Sequence, residues 1–106
     1  MTDSIIIAHR GRDETYPENT LTAFKAALEK GMAIEIDVRG TKDDELIVLH
    51  DETVDRTTDG EGRVDQMTLA EIKALDAGSW RGEEFAGERI PTLMETVDVV
   101  KEYGTA

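Results

Sequence analysis

Two histidines stand directly after short apolar runs of the kind that form buried strands. His9 follows the apolar run 5–8, and His50 follows the apolar run 46–49. Polar groups at the carboxyl ends of strands carry the chemistry of parallel α/β proteins, and imidazole exchanges protons near neutral pH. We therefore expect His9 and His50 to be a general acid and base pair. The alternative is that each is a hydrogen-bonded structural histidine.

Two carboxylates lie on a third apolar run between the histidines. Glu35 and Asp37 alternate with Ile34, Ile36 and Val38, so a single strand here would place both carboxylates on one face. Burying unpaired carboxylates is costly, and a hard cation such as Mg²⁺ or Ca²⁺ would offset that cost through oxygen ligands. The pattern predicts a divalent metal site. An exposed polar face on an edge strand is the alternative.

Arg10 follows His9 directly and is the candidate phosphate contact. A guanidinium group binds phosphate oxygens through paired hydrogen bonds. The alternative is an ordinary surface ion pair. Together, these five residues would make a metal-assisted acid and base site at one end of a sheet.

The elements that position these residues follow from periodicity and turn residues. Strand 5–8 is followed by a helix that begins after Asn19 or Thr20, buries Leu21, Phe24 and Leu28 on one face, and ends at Gly31. Strand 33–38 and strand 46–50 are joined by the short polar turn 41–45, too short for a crossover helix, so they are expected to pair as a hairpin.

The second half of the chain is predicted to be loops and two helices. Thr68 and Glu71 form a capping box that begins a short helix. The last helix begins at Pro91-Thr92, with Glu95 three residues after the cap. Its apolar stripe is predicted to be Leu93, Val97 and Val100.

The order of these elements indicates the fold class. A strand, a helix and a second strand at the start of a chain imply parallel pairing in a sheet covered by helices. At 106 residues the chain is predicted to be one α/β domain, spanning residues 1–106.

Composition excludes several classes of protein. The chain has 24 acidic and 12 basic residues, a formal net charge of −12, 39% hydrophobic residues and no cysteine. Such a surface repels nucleic acid and anionic membranes, and no apolar run reaches the ~18 residues that span a membrane. The start Met-Thr-Asp-Ser shows no basic signal-peptide region, so the cytoplasm is the expected compartment.

Read in order, the motifs resemble those of the glycerophosphodiester phosphodiesterase family. The matching segments are His9-Arg10-Gly11, Pro17-Glu18-Asn19-Thr20, Ala23-Phe24, Glu35-Ile36-Asp37-Val38, Thr41-Lys42-Asp43, His50-Asp51, Asp55-Arg56-Thr57-Thr58-Asp59-Gly60 and Ile90-Pro91-Thr92-Leu93. They cover almost the whole chain, with family-like order and spacing.

The resemblance implies a TIM-like (β/α)₈ barrel and metal-dependent hydrolysis of glycerophosphodiesters to glycerol 3-phosphate and an alcohol. It implies that His9 and His50 are the acid and base, that Glu35 and Asp37 bind the metal, and that Arg10 contacts the phosphate. Asp51 is expected to orient the site from behind these residues. A non-catalytic metal-binding, anion-binding or assembly module, and another lipid phosphodiesterase of the superfamily, are the alternatives.

Length is the main departure from the family. A (β/α)₈ barrel takes ~250 residues, so 106 residues correspond to its N-terminal part. In the family, a further metal-binding Glu and a phosphate-binding Lys lie on the next strand, and neither is assigned here. We expect the chain to assemble with a second copy or with the rest of a barrel, because half a barrel leaves open strand edges.

Overall fold

The computed structural model describes residues 7–11 and 15–103, with the backbone alone for residues 7–9. In chain order the elements are β1 (Ile7–His9), α1 (Leu21–Glu29), β2 (Ala33–Glu35), β3 (Val38–Gly40), β4 (Leu46–Val48), α2 (Leu69–Lys73) and α3 (Leu93–Glu102). This is the predicted order of elements, except that the one strand predicted over residues 33–38 is replaced by the two strands β2 and β3. The two long loops each contain one turn of 3₁₀ helix, at Val64–Gln66 and Glu83–Phe85.

Helix α1 begins and ends where the sequence predicts. The Thr20 hydroxyl accepts a hydrogen bond from the Ala23 N–H at 3.3 Å, and Gly31 takes a φ of +76° just past the helix, where glycine avoids the strain of a left-handed residue. Phe24 and Leu28 are buried as predicted, whereas Leu21 is half-buried.

Strands β1 and β2 pair in parallel, as predicted. Their register places Ile7 beside Ala33 and His9 beside Glu35. The backbone N–H of Arg10 continues the ladder by donating to the Glu35 carbonyl at 3.1 Å. The carboxyl ends of these two strands therefore lie side by side.

The prediction of one continuous strand over residues 33–38 is wrong. The chain leaves β2 after Glu35 and enters β3 at Val38, so the structure has two separate two-stranded sheets. β2 pairs with β1 in parallel and β3 pairs with β4 in antiparallel fashion, and the chain changes partner at Ile36 and Asp37. Even there the backbone is held, because the Leu49 N–H donates to the Asp37 carbonyl at 2.9 Å.

The predicted hairpin is confirmed in β3 and β4. Val38 pairs with Val48, and Gly40 pairs with Leu46. Asp44 takes a φ of +63° in the connecting turn, a conformation that aspartate tolerates better than most residues. The hairpin returns the chain to the end of β2, which places His50 near the same edge as Glu35.

One apolar cluster lies beneath the hairpin and the two long loops. Its buried members are Ile47, Leu49, Val54, Val64, Ile72, Ala77 and Ile90, with Met67, Leu69 and Leu75 packed against it. Helices α2 and α3 both begin with complete capping boxes, Thr68 with Glu71 and Thr92 with Glu95, as predicted.

The most buried residues of α3 are not those of its predicted apolar stripe. Thr96 and Val99 are its buried residues, while Leu93, Val97 and Val100 are half-buried. Since α3 packs against α1, its contact face is rotated away from the predicted stripe. Val97 and Val100 of this stripe instead line an apolar groove with Ile34 of β2 and with Ile36, which follows β2.

Among the described residues, no helix is long and apolar enough to cross a membrane. The cellular compartment, the division into one domain and the assembly with a second copy stay predictions.

Candidate active site

The structure gathers the candidate residues at the carboxyl ends of β1 and β2 and at the turn after β4. Arg10 follows β1 directly, Glu35 ends β2, and Asp37 lies between β2 and β3. His50 and Asp51 come two and three residues after β4. The side chain of His9 lies outside the described atoms, but its backbone is paired with that of Glu35.

A tight turn presents Arg10. Its φ is +53°, and its carbonyl accepts a hydrogen bond at 2.8 Å from the N–H of Asn19, whose φ is +54°. Gly11 follows with a φ of +72°, and a Cβ at this position would lie 2.7 Å from the Phe24 ring. A side chain is excluded there, so the turn can close over the first residues of α1.

The Arg10 side chain lies between two carboxylates. Its Nη1 is 3.5 Å from Glu18 Oε2, and its Nε is 3.9 Å from Asp37 Oδ2. The Nε atom is buried and has no hydrogen-bond partner among the described residues. A buried donor without a partner is unfavourable, so an anionic oxygen that reached this atom would remove a cost already present in the fold.

Asp37 offers oxygen ligands beside this arginine. Asn19 Nδ2 donates to Asp37 Oδ2 at 3.2 Å, and the Asn19 Oδ1 atom is buried with no hydrogen-bond partner within the described ranges. Carboxylate and amide oxygens suit hard cations, so the donor chemistry fits Mg²⁺ or Ca²⁺. Within residues 7–11 and 15–103, however, no three His, Cys, Asp or Glu side chains converge as a metal site.

Glu18 is the most deeply buried carboxylate at the site. Its side chain is 4% exposed, and the guanidinium of Arg56 binds it through both terminal nitrogens, Nη1 to Oε1 at 2.9 Å and Nη2 to Oε2 at 2.8 Å. This two-point geometry is the strong form of an arginine–carboxylate pair.

Arg56 also binds Asp51, through Nε to Oδ2 at 2.9 Å and Nη2 to Oδ1 at 3.1 Å. Asp51 Oδ1 in turn lies 2.7 Å from His50 Nδ1. The hydrogen bonds from Arg56 first, and then those from His50, hold the pKa of Asp51 well below its usual range despite partial burial. Asp51 is therefore ionised at neutral pH, and an ionised carboxylate favours a proton on Nδ1 of the imidazole.

Arg39 fixes the backbone of the same turn. Its Nε and Nη2 both donate to the His50 carbonyl, at 3.0 and 2.6 Å. The histidine is thus anchored twice, through its ring by Asp51 and through its main chain by Arg39.

The contacts agree with some of the sequence-based assignments and leave the others as predictions. Asp51 contacts the ring of His50, and Arg10 lies near Asp37, as a shared site requires. The catalytic roles of His9 and His50, metal binding by Glu35 and Asp37, and phosphate binding by Arg10 stay predictions. Glu35 and Asp37 do not share a strand face as predicted, because β2 ends at Glu35 and Asp37 lies beyond it.

The sequence patterns indicated no functional role for Glu18, Asn19 or Arg56 beyond a candidate helix cap at Asn19. Each belongs to a segment that carries the family resemblance, so the residues were visible, but their pairing was not. Glu18 and Arg56 are 38 positions apart and lie in different loops. Local patterns do not report such contacts.

Comparison with known proteins gives the same family throughout. The model of the glycerophosphoryl diester phosphodiesterase family matches residues 9–105. A glycerophosphodiester phosphodiesterase from Caldanaerobacter subterraneus is 59% identical over 98 residues, which are 92% of this chain and 40% of that protein.

Solved structures give the same result. A phosphodiesterase from Oleispira antarctica, determined in complex with the product sn-glycerol-3-phosphate, is 45% identical with a TM-score of 0.91, over 95% of this chain and 41% of that one. A glycerophosphodiester phosphodiesterase from Agrobacterium tumefaciens is 42% identical with a TM-score of 0.91, over 95% and 44%.

The chain thus spans about two-fifths of the length of the relatives that it matches. The predicted fold class is confirmed: this is the N-terminal part of a TIM-like α/β barrel.

Proposed function

Since the chain belongs to the glycerophosphoryl diester phosphodiesterase family, we propose that it carries the proton-transfer and phosphate-binding groups of a glycerophosphodiester hydrolase. The substrate would be a glycerophosphodiester, and the products glycerol 3-phosphate and an alcohol. The observation that carries this proposal is the continuous set of contacts from His50 through Asp51, Arg56 and Glu18 to Arg10.

His50 is suited to proton transfer because one ring nitrogen is already occupied. Asp51 holds Nδ1 at 2.7 Å, which leaves Nε2 to exchange a proton with a substrate oxygen or a water. His9, beside Glu35 in the β1–β2 register, is proposed as the second proton-transfer group. One histidine would activate the attacking water, and the other would protonate the leaving alcohol.

Arg10 is proposed to hold the phosphate. Its guanidinium is largely buried, and its Nε has no hydrogen-bond partner in the part of the chain that the structure describes. A phosphate oxygen would therefore supply the missing acceptor. The surrounding protein is strongly acidic, and an anionic substrate therefore needs a local cation at the point of binding.

Glu35 and Asp37 are proposed to hold a divalent cation, Mg²⁺ or Ca²⁺. When bound, the cation would neutralise charge on the phosphate oxygens. The described residues provide fewer carboxylates than such a site needs, and the chain spans two-fifths of its relatives. We therefore propose that efficient turnover requires further groups from the rest of a full-length barrel.

Glycerol 3-phosphate release from glycerophosphocholine tests the function. We expect little or no release by the 106-residue chain and EDTA-sensitive release by the chain completed to full barrel length. In the completed enzyme, His9→Ala or His50→Ala should lower kcat by ~10²–10⁴, the usual contribution of a positioned acid or base. Full activity in either variant would remove that histidine from the mechanism.

The control for these variants is Arg63→Met, which removes an exposed arginine that pairs with Asp65 and Glu52 and makes no described hydrogen bond to Glu18, Asp51 or His50. Calorimetric titration with Mg²⁺, Ca²⁺ and Mn²⁺ tests the metal ligands separately. Glu35→Gln and Asp37→Asn should abolish binding, and Glu45→Gln in the hairpin turn should not. Unchanged binding in the first two variants would refute the metal assignment.

A further inference from the structure

We propose that Arg56 is a positioning residue that couples the proton-transfer end of the site, at His50, to its phosphate-binding end, at Arg10. The names of the two ends rest on the proposed function, whereas the contacts between them are geometric. Arg56 lies in the loop after β4 and would touch neither the phosphate nor the reacting oxygen. It would act through one carboxylate on each side.

The four hydrogen bonds of Arg56 divide equally between these carboxylates. Nη1 and Nη2 bind Glu18, while Nε and Nη2 bind Asp51. The planar guanidinium therefore fixes the two carboxyl groups at a set distance and angle from one another. A lysine carries the same charge but only a point donor, and it would not impose this geometry.

On the phosphate side, the coupling passes through Glu18. This carboxylate is 4% exposed and lies between two arginines, hydrogen-bonded to Arg56 and 3.5 Å from Nη1 of Arg10. A buried carboxylate requires compensation. If Arg56 were removed, Arg10 would be the remaining described cation beside Glu18. We expect Arg10 to move onto Glu18 and thereby become less available to an anion.

On the proton-transfer side, the coupling passes through Asp51. Its two oxygens are held by Arg56, and one of them also meets His50 Nδ1. Without Arg56, the carboxyl group loses the contacts that set its rotation. The Nδ1–H form of the neutral imidazole, with Nε2 free, should then be less strongly favoured.

A single substitution should consequently affect both ends, and a second substitution should separate them. Arg56→Met removes the charge and the fork but keeps an unbranched chain. Adding Glu18→Gln removes the uncompensated carboxylate and frees Arg10 again, without restoring Asp51. A residue that merely stabilises the fold would show no such separation.

The experiment uses the 106-residue chain with Arg56→Met, Arg56→Lys, the double variant Arg56→Met/Glu18→Gln, and Arg63→Met as a matched control. Arg63 makes a similar two-nitrogen contact with a carboxylate, Asp65, outside this network. The first readout is the tautomer of His50, from long-range ¹⁵N–¹H NMR at an alkaline pH at which imidazole is neutral. The second is the affinity for sn-glycerol 3-phosphate by calorimetry. Thermal unfolding monitors the fold.

We expect Arg56→Met to reduce the affinity by ~10–100-fold, the range found when a residue that orients a metal ligand is removed, and to shift His50 away from the Nδ1–H form. Arg56→Met/Glu18→Gln should recover most of the affinity but not the tautomer. Arg56→Lys should recover thermal stability more than the tautomer. Arg63→Met should change neither readout.

Three results would overturn the coupling: a folded Arg56→Met chain with both readouts unchanged, a double variant in which both recover together with stability, or a wild-type chain that does not bind glycerol 3-phosphate. The proposed function fails separately, if the completed enzyme releases no glycerol 3-phosphate while Arg56→Met still moves both readouts. In an active completed enzyme, Arg56→Met should lower kcat and raise KM together.

Discussion

Two regions of this chain are held together by different kinds of interaction. The apolar cluster around Ile47 and Ile72 consists of fully buried side chains held together by area and close packing. The second region is the ion-pair network of the candidate active site. It is held together by directed contacts between polar and charged side chains, which are those of Arg10, Glu18, Arg56, Asp51 and His50. The loop after β4 belongs to both regions, because its Val54 packs in the apolar cluster and its Arg56 lies in the ion-pair network.

The difference lies in how each region responds to a missing part. Removing methyl groups from the cluster leaves a cavity, and the cost depends on how far neighbours relax. Removing one charged group from the ion-pair network leaves its partner without compensation, and the cost depends on whether that partner can be hydrated. Packing should therefore dominate stability, and pairing should dominate the geometry of the site.

The largest expected effect on stability is in the apolar cluster. Ile72 of α2 has no exposed surface, and Ile72→Ala should lower the free energy of unfolding by about 2–5 kcal/mol, as typical of such truncations. Urea denaturation measures the change. Met94→Ala on the exposed face of α3 is the control and should change it by less than about 0.5 kcal/mol. Equal losses in both variants would mean that the cluster is not the centre of stability.

The next effect concerns an asymmetry within one ion pair. Glu18 is buried, while the side chain of Arg56 is 44% exposed and can be hydrated when its partner is lost. Arg56→Met should therefore cost about 2 kcal/mol, and Glu18→Gln, which keeps an acceptor oxygen, less than about 1 kcal/mol. Urea denaturation of both variants decides the order. The reverse order would show that Glu18 is not the buried member of the pair.

The smallest effect appears on acidification. The pKa of Asp51 is lowered in the folded state, chiefly by the hydrogen bonds from Arg56. A lowered carboxyl pKa contributes stability that is fully present above the unfolded value of about 3.9 and is lost as the pH falls below it. The stability difference between wild type and Asp51→Asn should therefore be constant above about pH 5 and shrink as the pH falls from about 5 towards 2. A difference that is constant across this range would argue against the ion pair.

Features of the fold that depend on neighbouring residues could be predicted from the sequence. The capping boxes at Thr68 and Thr92, the end of α1 at Gly31 and the hairpin after Gly40 are all decided by residues within a few positions of each other. Their hydrogen bonds close locally, so the local pattern is sufficient.

Features of the fold that depend on residues far apart in the chain could not be predicted from the sequence. The break after Glu35 arises because β2 and β3 have different neighbours, and the buried face of α3 is set by its packing on α1. At the site, the pairing of Asp51 with His50 follows from adjacency, whereas that of Glu18 with Arg56 joins loops 38 residues apart. A single sequence holds no record of which acidic residue meets which arginine.

The left-handed backbone at Arg10 has a consequence for how the sequence can vary. Asn19 and Asp44 also have positive φ values. Asparagine and aspartate adopt this conformation more readily than arginine, for which it is strained. In a randomised library screened for soluble expression alone, position 10 should drift towards glycine, asparagine or aspartate. Screened for retention on immobilised phosphate, the same library should keep arginine. If the residues recovered at position 10 differ between the two screens, selection for folding and selection for binding act differently on this position.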